Sequence, residues 1–170
     1  MDASELTAWI GRSETLRDTI TAAPVRGLNA TLDHPALAVE NGLPLFPLWH
    51  WLYFLPLHRQ SEIGPDGHPR RGGFLPPVPL PRRMWAGGRL AFTQPLRVGE
   101  TATRSSRIAR VDVKSGRSGT LVFVTVEHRY EGEHGLALSE EHDIVYRDPP
   151  QPGAPEPAPQ PAPADAAFAR

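Results

Sequence analysis

The chain has 170 residues, 39% of them hydrophobic and 22% charged, which is enough for one ordinary core and short of two. A formal net charge of −1 argues against a nucleic-acid or acidic-lipid partner, since such partners select a basic face. The absence of cysteine excludes disulfides, thiolate catalysis and cysteine-ligated zinc. No apolar run reaches the roughly 20 residues of a membrane span, and the acidic opening Asp2-Ala3-Ser4-Glu5 lacks a signal pattern. The expectation is a cytoplasmic protein without a membrane partner.

Ser4 to Ile10 is a short helix candidate, with Leu6, Trp9 and Ile10 on one side and Gly11 to stop it. Ser13 to Ile20 alternates weakly and reads as a first strand. Thr21 is placed to cap a helix with Pro24 in its first turn. Val25, Leu28 and Leu32 follow at helical spacing.

Next comes the most apolar stretch, Phe46 to Pro56, which holds five of the chain's thirteen aromatics within nine residues. Such a run is either buried as a core plug or lines a slot for an apolar ligand. Leu57 to Pro81 is a long loop rich in Gly and Pro, ending in the extended Pro76-Pro77-Val78-Pro79-Leu80-Pro81.

From Met84 onward the pattern is β. Met84 to Leu96 is a strand pair or one bent strand, with Gly87-Gly88 as a bulge. Thr101 to Val113 is a strand with Arg104, Ile108 and Arg110 on one side and Ala109, Val111 and Val113 on the other. Leu121 to Tyr130 is the clearest strand, with Val122, Val124 and Val126 pointing one way. Glu131-Gly132-Glu133-His134-Gly135 closes a hairpin whose second strand, Leu136 to Arg147, sets Leu136, Leu138, Ile144 and Tyr146 on one face. The fold class is α+β: an antiparallel sheet wrapped on a buried helix. Residues 149 to 163 contain eight prolines in fifteen. They divide the chain into a domain over 1–148 and a Pro/Ala-rich disordered tail or linker over 149–170. A linker normally joins two units, and only seven residues follow this one.

Several of these stretches carry a resemblance. Trp49-His50-Trp51-Leu52-Tyr53-Phe54-Leu55, Gly64 to Pro77, Pro81-Arg82-Arg83-Met84-Trp85-Ala86-Gly87-Gly88, Gly116-Arg117-Ser118-Gly119 and Asp143-Ile144-Val145-Tyr146-Arg147 together resemble the N-terminal half of bacterial type 2 hydroxyacyl-thioester dehydratases. That group includes the mesaconyl-CoA and itaconyl-CoA hydratases and is related to the MaoC-like (R)-specific enoyl-CoA hydratases. The resemblance covers Ser13 to Arg147. It implies a single hot-dog fold, an antiparallel sheet around a central helix. It also implies an enoyl- or 3-hydroxyacyl-CoA substrate that gains or loses water. No metal or organic cofactor is implied beyond the coenzyme A of the substrate.

That chemistry needs a base and a donor to the thioester oxygen. The resembling enzymes use an Asp and a His after the first main helix of the catalytic half. Here Asp33-His34-Pro35 follows the helix, but the Asn and the spaced second His of that motif are missing. The expectation is therefore that no catalytic residue lies on this chain and that it is the acyl-accommodating half. It would work with a catalytic hot-dog subunit or as a homodimer. The alternative is a non-enzymatic acyl-CoA-binding or structural module. A hot-dog thioesterase ranks lower, because the aromatic run lacks the carboxylate it would need.

The substrate-binding candidates are Trp49, Trp51, Tyr53 and Phe54 for the acyl slot, Arg82 and Arg83 for phosphates, and Trp85, Gly87 and Gly88 for a flat ring against bare backbone. Arg70-Arg71 and Arg82-Arg83 are basic pairs flanking the proline-rich loop, which suit the phosphates of coenzyme A or, on the simpler and preferred reading, are ordinary charges of a solvated loop. Asp33 and His34 read as a helix-ending turn. His50 reads as a hydrogen-bonded structural histidine, and Gly116-Arg117-Ser118-Gly119 as a turn. His128 and His142 read as surface residues on neighbouring strands, and no metal site is assigned.

Overall fold

The computed structural model describes residues 2–116 and 119–149. Its frame is one five-stranded antiparallel sheet: β1 (Ser13–Thr19), β2 (Arg82–Phe92), β3 (Thr101–Gly116), β4 (Gly119–Gly132) and β5 (Gly135–Arg147), in the order β1-β3-β4-β5-β2. Helix α1 (Ala3–Thr7) precedes the sheet, and α2 (Ala22–Thr31) follows β1. The β4–β5 hairpin turns through two residues between Gly132 and Gly135. The tail expectation beyond residue 149 and the identity of the turn at 117–118 lie outside the described residues. Gly116 and Gly119 do pair across that turn.

One bulge re-aims β3. Its register shifts between Ile108 and Arg110, so Ile108 faces the core with Val111 and Val113 rather than opposite them. Simple alternation from Arg104 had set these residues on different faces. A second bulge falls between Trp85 and Gly87 on β2, beside the glycine pair singled out for it.

Two apolar clusters cover one face of the sheet. The first gathers Val25 of α2, Trp49, Tyr53 and Phe54 of the aromatic run, and Ala102, Tyr130 and Leu138 of the sheet. The second gathers Leu6 of α1, Val78 and Leu80 of the proline-rich loop, and Ile108, Val122, Val124, Ile144 and Tyr146 of the sheet. The long loop is thus a cover for one half of the core. Arg71 fastens it by donating to the carbonyls of Val78, Leu80 and Pro81.

The aromatic run is a single 3-10 turn, Trp49–Leu52, flanked by left-handed Leu48 (φ 73°) and Phe54 (φ 57°). Bulky residues rarely adopt that conformation. Phe54 is held in it by its backbone N–H, which donates to Asp18 at 2.8 Å, and the Tyr53 hydroxyl donates to the Thr21 carbonyl at 2.5 Å. The run therefore packs against the junction of β1 and α2.

Candidate functional site

The sheet register builds a polar band between the two apolar clusters. Leu90, Glu140, His128, Ser106 and Glu14 lie directly opposite one another across all five strands. On one side runs Phe92, Leu138, Tyr130, Arg104 and Leu16, and on the other Gly88, His142, Val126 and Ile108. A cleft of about 490 Å³ opens over this band. Glu140, His128, His142, Tyr130 and Arg104 form its floor, and Trp51 and Trp85 stand at its mouth. Both tryptophans are exposed, and the Trp85 ring folds back over Gly88. A smaller depression of about 270 Å³ lies beyond His50, lined by Leu45, Phe46, Phe92 and Leu138.

Glu140 organises the floor. Its carboxylate accepts from Trp51 Nε1 at 3.2 Å and from the Tyr130 hydroxyl at 3.0 Å. His50 Nε2 comes within 3.5 Å of it without hydrogen-bond geometry. Burial alone would raise the carboxyl. The approach of His50 and the Trp51 and Tyr130 donors outweigh burial and hold it below its usual range, and His128 adds to this only where it is protonated. Burial and the neighbouring Glu140 charge push the Tyr130 phenol upward. His128 is lowered by burial, its Nδ1 lying 2.8 Å from Ser106 Oγ, and His142 is lowered by burial as well. At neutral pH the floor thus holds one fixed carboxylate, two neutral imidazoles, one phenol and one guanidinium.

The sequence candidates separate on this frame. Trp51 stands at the cleft, while Trp49, Tyr53 and Phe54 are buried in the first cluster. Trp85 stands at the mouth, with Gly88 beneath its ring and beside His142. Gly87 pairs with Asp143 on the outer side. Arg82 is exposed, whereas Arg83 turns inward to Asp66 at 3.3 Å, next to Arg71. Asp33, at φ 55°, ends α2, and both it and His34 are exposed.

Two readings are corrected. His128 and His142 are not surface residues: they are part-buried, with ring centroids 6.4 Å apart. His50 is buried, as the apolar neighbours imply, but among the described residues its Nε2 has no aligned hydrogen bond. The sequence reading passed over Glu140 and Arg104 as site residues. The signal for Glu140 and His142 was present. They share the parity of Leu138, Ile144 and Tyr146, so the alternation that turns those residues inward turns these inward too.

Comparison with known proteins follows the same line. The family model for hydroxyacyl-thioester dehydratase type 2 matches residues 48–170. The chain is 50% identical over 158 residues to a mesaconyl-C(4)-CoA hydratase of Chloroflexus aurantiacus, covering 93% of this chain and 55% of that one. It is 26% identical over 159 residues to the mitochondrial hydroxyacyl-thioester dehydratase type 2 of Schizosaccharomyces pombe, covering 77% and 53%. The chain therefore spans about half the length of these curated relatives.

Among solved structures it superposes on a chain of the ChsH1–ChsH2 complex of Mycobacterium tuberculosis, with TM-score 0.56, 11% identity, and 89% and 96% of the two chains covered. It also superposes on a hot-dog-like protein of Thermanaerovibrio acidaminovorans, with TM-score 0.50, 11% identity, and 86% and 89% covered. The fold is a hot dog, and the chain belongs to the hydroxyacyl-thioester dehydratase type 2 family.

Proposed function

We propose that this chain is the acyl-accommodating half of a hydratase or dehydratase acting on enoyl- or 3-hydroxyacyl-CoA thioesters, with the proton chemistry supplied by a catalytic hot-dog domain. The observation that carries the reading is the cleft on the inner face of the sheet, open between Trp51 and Trp85 and roomy enough for a short acyl group. The state of its groups supports a binding role. A base that removes a proton near neutral pH needs a pKa near its working pH. Glu140 is held too low for that by the donors around it. The two likenesses to hydratase and dehydratase relatives support the reaction class.

Pairing fits the surface. β2 is an edge strand, and Phe46, Leu48, Leu55, Leu57, Trp85 and Phe92 are apolar and exposed. A second hot dog docked there would cover both edge and patch.

The test is binding and turnover measured separately. The chain alone is expected to bind crotonyl-CoA and mesaconyl-CoA by calorimetry and to hydrate neither. Turnover is expected on adding a catalytic hot-dog domain of the same family. Robust hydration by the chain alone would overturn the division of labour.

A further inference from the structure

The least satisfied charged group in the cleft is Arg104. A guanidinium carries five N–H donors, and buried donors are almost always paired. Arg104 is largely buried, at 18% side-chain exposure, yet its ion-pair partner among the described residues is Glu14, at 3.8 Å. Its Nε is buried with no hydrogen bond among the described residues. The guanidinium lies over the Phe54 ring at 5.8 Å, which holds its plane but supplies no acceptor. The cleft's own groups fill the gap only in part: the neutral Tyr130 hydroxyl lies near the guanidinium, and the Glu140 carboxylate is taken by Trp51 and Tyr130. The floor therefore holds a cation with donors to spare, which a plain aliphatic chain cannot use.

We infer that Arg104 is the specificity-determining anchor of this cleft and binds a carboxylate at the far end of a short acyl group. Planar guanidinium and carboxylate match in a two-bond fork, which makes such a contact strong and directional. The aliphatic middle of the acyl group passes between Trp51 and Trp85. This inference rests on the acyl-cleft reading above and adds to it the end group and the residue that reads it.

The experiment compares two non-reacting thioesters of equal carbon count, succinyl-CoA and butyryl-CoA, which differ by one terminal carboxylate. Calorimetric titration of the full chain is expected to show succinyl-CoA binding about tenfold tighter, the size of one charge-assisted contact. Arg104→Met keeps most of the side-chain volume and is expected to erase that preference while leaving butyryl-CoA affinity within about twofold. Arg104→Lys keeps the charge without the fork and is expected to retain part of the preference, so the inference stays testable if the methionine variant folds poorly. Equal affinity for the two thioesters, or an equal loss for both in Arg104→Met, would overturn the anchor while leaving the acyl cleft intact. Binding of neither thioester would overturn the acyl cleft itself, and the anchor with it.

Discussion

Glu140 and Glu141 are neighbours on β5, and the pleat sends them to opposite faces of one sheet. Glu141 points outward with Asp143, and both pair with Arg89 in a solvated cluster. Similar pairs repeat over that face, Arg107 with Glu127 and Arg110 with Asp112. Exposed pairs of this kind contribute little, because water screens them and long side chains lose entropy in making them. Glu140 points inward, where the indole of Trp51 and the phenol of Tyr130 have their partner in it. One residue step therefore converts a carboxylate from surface decoration into the organiser of the cleft. The strength of a polar contact here is set by which side of the sheet it falls on, more than by the residue types involved.

The comparison is tested most severely by truncating the inner carboxylate. Glu140→Ala strands the Tyr130 hydroxyl and the Trp51 indole and leaves a gap beside His50. It is expected to cost about 3 kcal/mol in denaturant unfolding, the usual scale for breaking a buried polar contact at one end. A loss under about 1 kcal/mol would mean that water replaces the carboxylate and that the floor is wetter than its burial implies.

Acid titration reads the same floor without mutation. Folding lowers His128 from its ordinary 6.5 to about 4, chiefly by burial. Burial opposes but donors enforce the depression of Glu140, from 4.5 to about 2. In both cases the unfolded chain takes up its proton first. The stability tied to each group is whole above its ordinary value and drains as pH falls toward its folded value. Stability is thus expected to decline first between pH 6.5 and about 4 through His128, then between 4.5 and about 2 through Glu140. His128→Asn should flatten the upper part of that decline and Glu140→Gln the lower part. A profile flat down to pH 4 in the parent chain would contradict the buried, neutral His128.

The balance of legible and illegible features follows from which signals are local. Alternation in Leu121 to Tyr130 and Leu136 to Arg147 marks the hairpin, because strands covered on one face must alternate. It even holds the positions of Glu140 and His142, once Leu138 and Ile144 are taken as inward. Arg104 was harder to read: it shares the face of Ile108, but the bulge between Ile108 and Arg110 brings Val111 and Val113 to that face as well, so simple alternation left the inward side of β3 open, and a bulge has no reliable signature without a glycine. The aromatic run split for a third reason. A 3-10 turn of four residues points side chains in several directions, so Trp49 goes to the core and Trp51 to the cleft. No periodicity in so short a turn separates them.

Trp51 gives a smaller test of the inner face. It is 51% exposed, so its packing contribution is modest, but its indole is one of Glu140's donors and forms half of the cleft mouth. Trp51→Ala is expected to cost about 1 kcal/mol of stability while weakening acyl-CoA binding about tenfold. The reverse ranking, a large stability loss with affinity unchanged, would assign Trp51 to the core with Trp49.

The smallest effect belongs to the outer face. Glu141→Ala removes an exposed carboxylate whose Arg89 partner keeps Asp143 at 2.9 Å. The expected change is within about 0.5 kcal/mol, and it should shrink further in molar salt. The Glu140→Ala loss, in contrast, should be nearly insensitive to salt, since its contacts are short, buried and shielded from counterions. Unfolding curves for the two variants at low and high ionic strength therefore separate the two faces by a property that neither packing nor helix propensity shares. Matched salt dependence in the two variants would mean that Glu140 is solvated like its neighbour, and the contrast between the faces would not stand.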